Sequence, residues 1–280
     1  VTAATATQLV VTFSTKPATA GSLTATVTTN SIASQAPVQV ATVTPIVTTN
    51  DDAIAANAST IVIDGFGFDP TPANNSVVFN NGAIGNVTAA TATSLTVTFS
   101  KKPTTAGSLT AIVTSNGENS GSAVEVGTLS PVVTANSGNQ IAANASTVII
   151  IGQGFDPTAG NNEVTFNNGA EGTVASATAT SLTVTLDTPP TTAGSLTAIV
   201  SVNGIDSGSA VQVATVVPVV TSSNSDLLAN ADTITINGFG FDTNTANTTV
   251  TFDNGAVGAV TAATATSLTV TFSTKPEAAG

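Results

Sequence analysis

The stretch Leu95-Thr96-Val97-Thr98-Phe99 alternates strictly between apolar residues and threonine. Successive side chains of a β-strand point to opposite faces, so the leucine, valine and phenylalanine are expected to face a core and the threonines to face solvent. Threonine and valine also favour strands because their β-branched side chains are stiff and pack well on a pleated surface. The stretch therefore predicts a half-buried β-strand.

Other short strands are predicted around this one. They lie at residues 45–48, 60–63, 76–79, 109–113 and 123–126. The pair Asn81-Gly82 is a strong hairpin signal because both positions tolerate a positive φ. It recurs as Asn168-Gly169 and Asn254-Gly255. About seven short strands in each unit, with a turn roughly every 8–12 residues, are typical of an Ig-like β-sandwich.

An internal repeat organises the whole chain. The segment Val1-Thr2-Ala3-Ala4-Thr5-Ala6-Thr7 recurs at residues 87–93, as a variant at 174–180, and at 260–266, with spacings of 86, 87 and 86 residues. One proline in each unit keeps the same spacing, at Pro45, Pro131 and Pro218. Self-similarity at a fixed period indicates a tandem array of structural units.

We therefore predict an all-β fold of tandem Ig-like β-sandwiches in an extended rod. Two complete repeats are expected at residues 44–130 and 131–217. The C-terminal part of a repeat precedes them at 1–43, and the N-terminal part of a further repeat follows at 218–280. The joints between units are short and contain proline, which predicts little hinge freedom. Because both ends fall within a repeat, the parent chain is expected to continue in both directions.

The charge balance excludes some partners. Sixteen acidic residues and four lysines give a formal net charge of −12. Nucleic acids and anionic membranes require clustered Lys and Arg, so neither is an expected partner. The longest strongly apolar run is Val148-Ile149-Ile150-Ile151, whereas about 18 residues are needed to span a bilayer. No membrane insertion is predicted for this segment.

The residue inventory also argues against catalysis. The chain has no His, Cys, Tyr or Arg, so the usual bases, nucleophiles and oxyanion-binding groups are absent. Most carboxylates change between repeats; Asp64, for example, corresponds to Ile151 and Asn237. We therefore predict a protein that is not an enzyme, with no catalytic, cofactor-binding or metal-ligating residue and no cofactor.

One acidic position does recur, at Asp69, Asp156 and Asp242, in a loop rich in Asn and Thr. Calcium takes about six to eight oxygen ligands, usually including several carboxylates. A single aspartate in each loop instead favours an Asx turn or a loop-capping role. The pair Asp51-Asp52 is a second, weaker calcium candidate, and it does not recur.

The sequence contains residue types that take part in two kinds of covalent modification. A Lys–Asn isopeptide bond would need a lysine in each unit, but Lys101 and Lys102 correspond to Thr188 and Pro189. Glycosylation sequons begin at Asn57, Asn74, Asn86, Asn144 and Asn247. These are acceptor sites only in a host that has the machinery, and most are expected by chance in a chain so rich in Asn, Ser and Thr.

The run from Ile61 to Asp69, Ile-Val-Ile-Asp-Gly-Phe-Gly-Phe-Asp, together with Val77-Val78-Phe79, resembles the opening of an IPT/TIG domain. That family usually begins with an apolar strand, a Gly-x-Gly-Phe motif, a polar loop and a Val-x-Phe strand. The motif recurs from Gly152 and from Gly238. The resemblance covers the whole chain and implies an Ig-like fold. Near-identical repeats rich in Thr, Ala and Val are similar to those of large microbial cell-surface, adhesin-like proteins.

These observations favour a structural repeat segment of an extracellular or cell-surface protein, acting as a stiff spacer, a stalk or a fibre-forming element. The expected partners are neighbouring repeats of the same chain and, in a fibre, other copies of it. An alternative is a module that binds calcium or a glycan through the repeated Asp/Asn loops. A second alternative is a subunit of a laterally assembled extracellular filament.

Overall fold

The computed structural model describes residues 1–223, 225–253 and 255–276. Regular structure in these residues consists of strands and three single-turn 3-10 helices, at Pro72–Asn74, Ala159–Asn161 and Thr245–Asn247. The chain divides into two compact units, Val1–Leu129 and Ser130–Gly280. The described residues contain no helix long and apolar enough to cross a membrane.

The first unit contains fifteen strands, several of them only two residues long. They are β1 (Ala3–Ala4), β2 (Leu9–Val10), β3 (Gly21–Ala25), β4 (Thr28–Thr29), β5 (Ile32–Ala33), β6 (Val38–Val43), β7 (Ile46–Val47), β8 (Ala53–Ala55), β9 (Thr60–Phe66), β10 (Asn75–Phe79), β11 (Ile84–Ala90), β12 (Ser94–Lys101), β13 (Gly107–Ser115), β14 (Glu118–Asn119) and β15 (Val124–Ser130).

The second unit repeats this pattern. Its strands are β16 (Val132–Val133), β17 (Gln140–Ala142), β18 (Thr147–Gln153), β19 (Asn162–Phe166), β20 (Glu171–Thr178), β21 (Ser181–Thr188), β22 (Gly194–Val202), β23 (Ile205–Asp206), β24 (Val211–Val217), β25 (Val219–Val220), β26 (Thr233–Phe239), β27 (Val257–Thr264) and β28 (Ser267–Thr274).

Strands β7 to β15 form a two-layered sandwich. One sheet has the order β11-β12-β9-β7, and the other has the order β10-β13-β15-β8 with β14 paired to β13. With β7 as strand A, β9 as B, β10 as C, β11 as D, β12 as E, β13 as F and β15 as G, these are the ABED and CFG sheets of an Ig-like domain. Strands β16 to β24 repeat both sheets. The predicted all-β, Ig-like fold is confirmed.

The core lies between the two sheets, and the predicted alternation sets its inner face. Leu95 and Val97 are fully buried, and Phe99 is 9% exposed. Leu109 and Val113 meet them from the opposite sheet and are also fully buried. Phe68 closes one end of this core with no exposed surface. Apolar side chains at every second position therefore hold the two layers together.

The Asn-Gly turns differ from the hairpins predicted for them. Asn81 and Gly82 do adopt positive φ values, of 55° and 66°. However, β10 and β11, which they connect, belong to different sheets, so the turn carries the chain across the sandwich. Asn168-Gly169 does the same between β19 and β20. The third pair includes Asn254, which lies outside the described residues.

The first predicted strand, at residues 45–48, also differs from expectation. It is shorter, covering only the two residues of β7, and the chain then changes sheets and continues as β8. The corresponding strand β17 pairs in parallel with β24, through Gln140 and Thr215 for example. Splitting the first strand in this way lets one segment complete an edge of both sheets.

Candidate functional site

The recurring aspartate forms an Asx turn in every described copy. One carboxylate oxygen of Asp69 accepts a hydrogen bond from the Thr71 amide at 2.7 Å. Asp156 accepts one from the Thr158 amide at 2.8 Å, and Asp242 accepts one from the Asn244 amide at 2.8 Å. The bond spans two residues each time, which is the Asx-turn geometry predicted for this position.

A buried asparagine at the start of β10, and its equivalent at the start of β19, hold the same loop in place. Asn75 is 7% exposed, and its side-chain amide donates to the carbonyl oxygens of Asp69 and Thr71 at 2.8 and 3.1 Å. Its side-chain oxygen accepts from the Asp69 amide at 3.1 Å. Asn162 makes the equivalent three bonds around Asp156. The two ends of the loop are thus held together by hydrogen bonds to the side chain of this buried asparagine.

These contacts stabilise the ionised carboxylates. The hydrogen bond from the Thr71 amide holds the pKa of Asp69 below its ordinary value of 3.8. The Thr158 amide, followed by the Asn161 side chain, lowers the pKa of Asp156 in the same way. For Asp242 the larger cause of the lowered pKa is the Asn247 side chain. The carboxylates are satisfied by donors of their own domain.

Within the described residues, no group of three or more His, Cys, Asp or Glu side chains lies close enough to hold a metal ion. Asp51 and Glu125 line one shallow cavity of about 270 Å³. A carboxylate oxygen of Glu125 accepts from the Thr128 hydroxyl at 3.1 Å. Calcium would need more carboxylates than this pair provides.

The modification candidates lie as follows. Lys102 donates to the main-chain carbonyl of Asn57, not to its side chain, so this contact does not pair the groups of an isopeptide bond. Lys275 donates to the carbonyl of Asn230 at 2.6 Å and forms an ion pair with Asp232 at 2.8 Å. The five sequon asparagines, Asn57, Asn74, Asn86, Asn144 and Asn247, are all exposed.

The Gly-x-Gly-Phe motif is a structural corner. A Cβ atom on Gly65 would lie 2.1 Å from the Ile46 carbonyl oxygen and 2.4 Å from the Phe68 ring. Gly67 has a φ of 80°, which turns the chain so that Phe68 enters the core. Phe66 points outward and is 61% exposed.

The same corner receives a loop of the preceding repeat. Ala20 donates its amide to the carbonyl oxygen of Gly67 at 2.8 Å and is only 5% exposed. Thr19 forms an isolated parallel β-bridge with Gly67. The side chain of Asn116 donates to the carbonyl oxygen of Ala20 at 3.1 Å. Residues 17–21 are thus fixed by main-chain and side-chain bonds to the repeat that follows them.

The second unit contains the same junction. Ala193 donates its amide to the carbonyl oxygen of Gly240 at 2.9 Å. Gly240 has a φ of 76°, and a Cβ atom there would lie 2.4 Å from the Cβ of Ala143. Only Pro218 separates the last strand of one repeat, β24, from the first strand of the next, β25. Two joints, about 173 residues apart in sequence, share one geometry.

The Asn-Gly turn supports the loop that enters this junction. Asn168 donates its side-chain amide to the Thr192 carbonyl at 2.6 Å, and its side-chain oxygen accepts from the Thr192 amide at 3.2 Å. Thr192 directly precedes Ala193. Asn81 makes the equivalent pair of bonds with Thr105. The Asn-Gly turn that crosses the sandwich therefore also holds in place the loop that carries Ala193, which we call the docking loop.

Sequence reasoning missed the residues of this junction. Ala20 and Ala193 carry no chemical signal, and their contribution is a main-chain amide. The available signal was the constant spacing of the Pro-x-x-Ala-Gly segments, at Pro17 and Pro190, relative to the Gly-x-Gly-Phe motif. Asn75 and Asn162 were assigned to a polar loop, although their side chains are buried.

No protein-family model matches the chain, and no curated protein matches it. Similar solved structures include domains 5–6 of the S-layer protein SbsC, at 16% identity, with 62% of this chain and 98% of that chain covered and a TM-score of 0.23. The Escherichia coli adhesin FdeC is 16% identical, with 83% and 88% covered and a TM-score of 0.25. Three Ig domains of titin are 10% identical, with 84% and 87% covered and a TM-score of 0.23. Similarity at this level is no basis for assigning a function.

Proposed function

We propose that the chain is a structural repeat segment of an extracellular or cell-surface protein, in which it acts as a stiff spacer or stalk. The observation that carries this proposal is the repeated junction in which Ala20 binds Gly67 and Ala193 binds Gly240. A binding or catalytic protein needs convergent side chains at one place. A spacer needs the same joint at every place.

The junction resists bending because it fixes the chain at two separate points. The first is the covalent connection, which is Thr44-Pro45 in one joint and Pro218 in the other. The second is the hydrogen bond from the docking loop to the glycine corner. A single covalent connection would leave a hinge, whereas two points of attachment oppose rotation about it. The free energy of unfolding of such an array is roughly the sum of one contribution from each repeat and one from each contact between neighbouring repeats.

The loop chemistry supports the spacer over a calcium- or glycan-binding module. Both carboxylate oxygens of Asp156 accept hydrogen bonds, one from the Thr158 amide and the other from the Asn161 side chain at 3.0 Å. A bound cation would have to displace these donors. The Asx turn gives the aspartate a role in the loop itself.

The test is small-angle X-ray scattering of the chain and of two alanine variants. Gly240→Ala places a Cβ against Ala143 inside the junction, whereas Gly208→Ala introduces the same backbone strain, at a φ of 85°, in open space. We expect Gly240→Ala to broaden the distribution of interatomic distances and Gly208→Ala to leave it unchanged. Hydrogen exchange of the β28 amides checks that the last sheet remains folded.

The same samples are measured with excess calcium and with a chelator. A spacer held by main-chain bonds gives the same scattering in both. A wild-type chain that stiffens only with calcium would overturn the proposal and favour the metal-binding alternative. Identical curves for both alanine variants and the wild type would show that the Ala–Gly junction does not set the stiffness.

A further inference from the structure

Two Asn-Gly pairs form the exposed tips of hairpins. Asn116-Gly117 joins β13 to β14, and Asn203-Gly204 joins β22 to β23. Both asparagines have a φ of 51°, and the glycines have φ values of 83° and 82°, as a two-residue hairpin turn of this kind requires. All of these residues are exposed. Each tip therefore presents an asparagine side chain, and the glycine that follows it, to water.

The glycine at each hairpin tip has free space around it. A Cβ atom on Gly117 or Gly204 would meet no atom of the described residues within 4 Å. By contrast, a Cβ atom on Gly169 would lie 3.2 Å from the methyl group of Thr191, which belongs to the docking loop. A hairpin tip can therefore change its backbone conformation without pushing against a neighbouring segment, whereas the turn at Gly169 cannot.

The asparagines of the turns that cross the sandwich are fixed at both ends of the side-chain amide. The side-chain oxygen of Asn168 accepts hydrogen bonds from the Thr191 hydroxyl and the Thr192 amide, both at 3.2 Å. Its side-chain nitrogen donates to the Thr192 carbonyl. Asn81 is held in the same way in the first complete repeat. We call Asn81 and Asn168 the clamped asparagines, because rotation of either side chain breaks all of these bonds.

The hairpin asparagines, Asn116 and Asn203, are held at one end only. In the described part of the chain, the side chain of Asn116 bonds through its nitrogen, which donates to the Ala20 carbonyl oxygen at 3.1 Å. The side-chain nitrogen of Asn203 donates to a carboxylate oxygen of Asp156 at 3.3 Å. Fewer hydrogen bonds therefore oppose rotation of these side chains toward the next main-chain nitrogen.

From this contrast we infer that the hairpin asparagines deamidate spontaneously and that the clamped asparagines are protected. The main-chain nitrogen of Gly117 forms a bond to Cγ of Asn116, and the bond from Cγ to the side-chain nitrogen breaks. That nitrogen leaves as ammonia with the proton of the Gly117 amide, and a succinimide ring remains. Water then opens the ring to aspartate or isoaspartate, so water is the co-reactant. Glycine favours ring closure because it has no side chain to obstruct it.

Deamidation of Asn116 changes the junction between repeats. Its side-chain nitrogen is the donor to Ala20, whose own amide bonds to Gly67. An aspartate there presents an oxygen to the Ala20 carbonyl and adds a negative charge, so an attraction becomes a repulsion. At Asn203 the new carboxylate faces Asp156. The joint formed by Ala20 therefore weakens irreversibly with age. The chemistry itself does not depend on the spacer function, because the same positions lose ammonia whatever the chain does.

The experiment incubates the folded chain and a guanidinium-unfolded sample side by side at mildly alkaline pH. Peptide mapping by mass spectrometry locates aspartate and isoaspartate at the hairpin and clamped asparagines. We expect similar rates at all of them in the unfolded sample, because each asparagine precedes a glycine. In the folded chain, we expect the hairpin asparagines to react roughly tenfold faster than the clamped asparagines. Equal rates in the folded chain, or no reaction at the hairpins, would overturn the inference.

A pair of variants tests the effect on the junction. Asn116→Asp reproduces one product of the reaction, and we expect hydrogen exchange at the Ala20 amide to become about tenfold faster. Asn119→Asp is the control, because it adds the same charge on β14 and keeps the side-chain oxygen that accepts from the Gly121 amide at 2.7 Å. Exchange at Ala20 should be unchanged in the control, and protection of the Leu109 amide checks that the sandwich stays folded. Wild-type exchange at Ala20 in Asn116→Asp would refute the effect of deamidation on the junction.

Discussion

At the scale of single residues, the first glycine of each Gly-x-Gly-Phe motif is required by packing. A Cβ atom on Gly65, Gly152 or Gly238 would lie 2.0 to 2.2 Å from a carbonyl oxygen of the first strand of its repeat. It would also lie 2.3 to 2.4 Å from the phenylalanine ring three residues later. The first strand and the phenylalanine ring both pack directly against the glycine. The core therefore leaves no room for a side chain at this position.

This packing predicts the effect of an added methyl group. Gly152→Ala should lower the free energy of unfolding by on the order of 3 kcal/mol, the upper end of what overpacking costs, because the new methyl group meets main-chain atoms that cannot move aside. Urea unfolding followed by circular dichroism measures the change. Gly160→Ala is the control: nothing lies within 4 Å of its Cβ position, and Ala73 occupies the equivalent site in the first repeat. Equal losses in both variants would contradict the packing argument.

At this scale the sequence predicted best where one residue type has one local role. The Asx turns at Asp69, Asp156 and Asp242 involve residues two positions apart, so a local pattern was sufficient. The closure of the loop by Asn75 and Asn162 was not predicted, because the burial of these asparagines depends on how the loop folds back on itself. The sequence of a polar stretch does not distinguish an asparagine that becomes buried from one that stays exposed.

At the scale of the elements, the Asn-Gly pairs show where local prediction stops. Positive φ at Asn81 and Gly82 follows from the residue types. Whether the two flanking strands pair with each other is decided by distant partners, and β10 pairs with β13. The strands themselves were predicted from alternation, whereas their distribution between two sheets, including the early change of sheet between β7 and β8, depends on contacts that no local window contains.

The clamp formed by Asn168 gives a prediction at this scale. Asn168→Gly keeps a residue suited to the φ of 58° but removes the bonds to Thr192, so it should cost about 1–3 kcal/mol of stability. The docking loop should also open more often. Hydrogen exchange at the Ala193 amide, which bonds to Gly240, reports this opening and should become faster in the variant.

Two comparisons separate the clamp from backbone strain. Asn168→Ala removes the same bonds and adds the strain of a positive φ, so it should be less stable than Asn168→Gly. Asn81→Gly makes the equivalent change in the first complete repeat and should leave exchange at Ala193 unchanged. If Asn168→Gly is as stable as wild type and protects Ala193 equally, the clamp does not hold the loop.

At the scale of the whole molecule, the same loops and corners recur with small substitutions. The period and the Ig-like fold were predictable, because four copies of one pattern lie in a single chain. The Ala–Gly junction was not, since it joins main-chain atoms of different repeats. The last repeat retains the Asx turn at Asp242 although Thr248 replaces the buried asparagine found in the other two. The aspartate and the asparagine at the end of the 3-10 helix, Asn74, Asn161 or Asn247, are therefore the loop residues that all described copies share.

This recurrence predicts how acid affects the chain. The folded-state pKa values of Asp69, Asp156 and Asp242 lie below the ordinary value of 3.8, so the folded loops bind fewer protons than the unfolded chain. Their contribution to stability is full above the unfolded pKa and is lost as pH falls through the folded values. Thermal unfolding midpoints should therefore be flat near neutral pH and fall below about pH 4.

A variant with Asn at all three positions identifies the source of this acid dependence. It keeps an acceptor oxygen for each turn but loses the charge, so it should be less stable at neutral pH and should lose less stability on acidification. Asp206→Asn removes an exposed carboxylate outside these loops and should follow the wild-type curve. If the triple variant instead runs parallel to wild type through the acid range, the Asx-turn carboxylates do not cause the acid sensitivity.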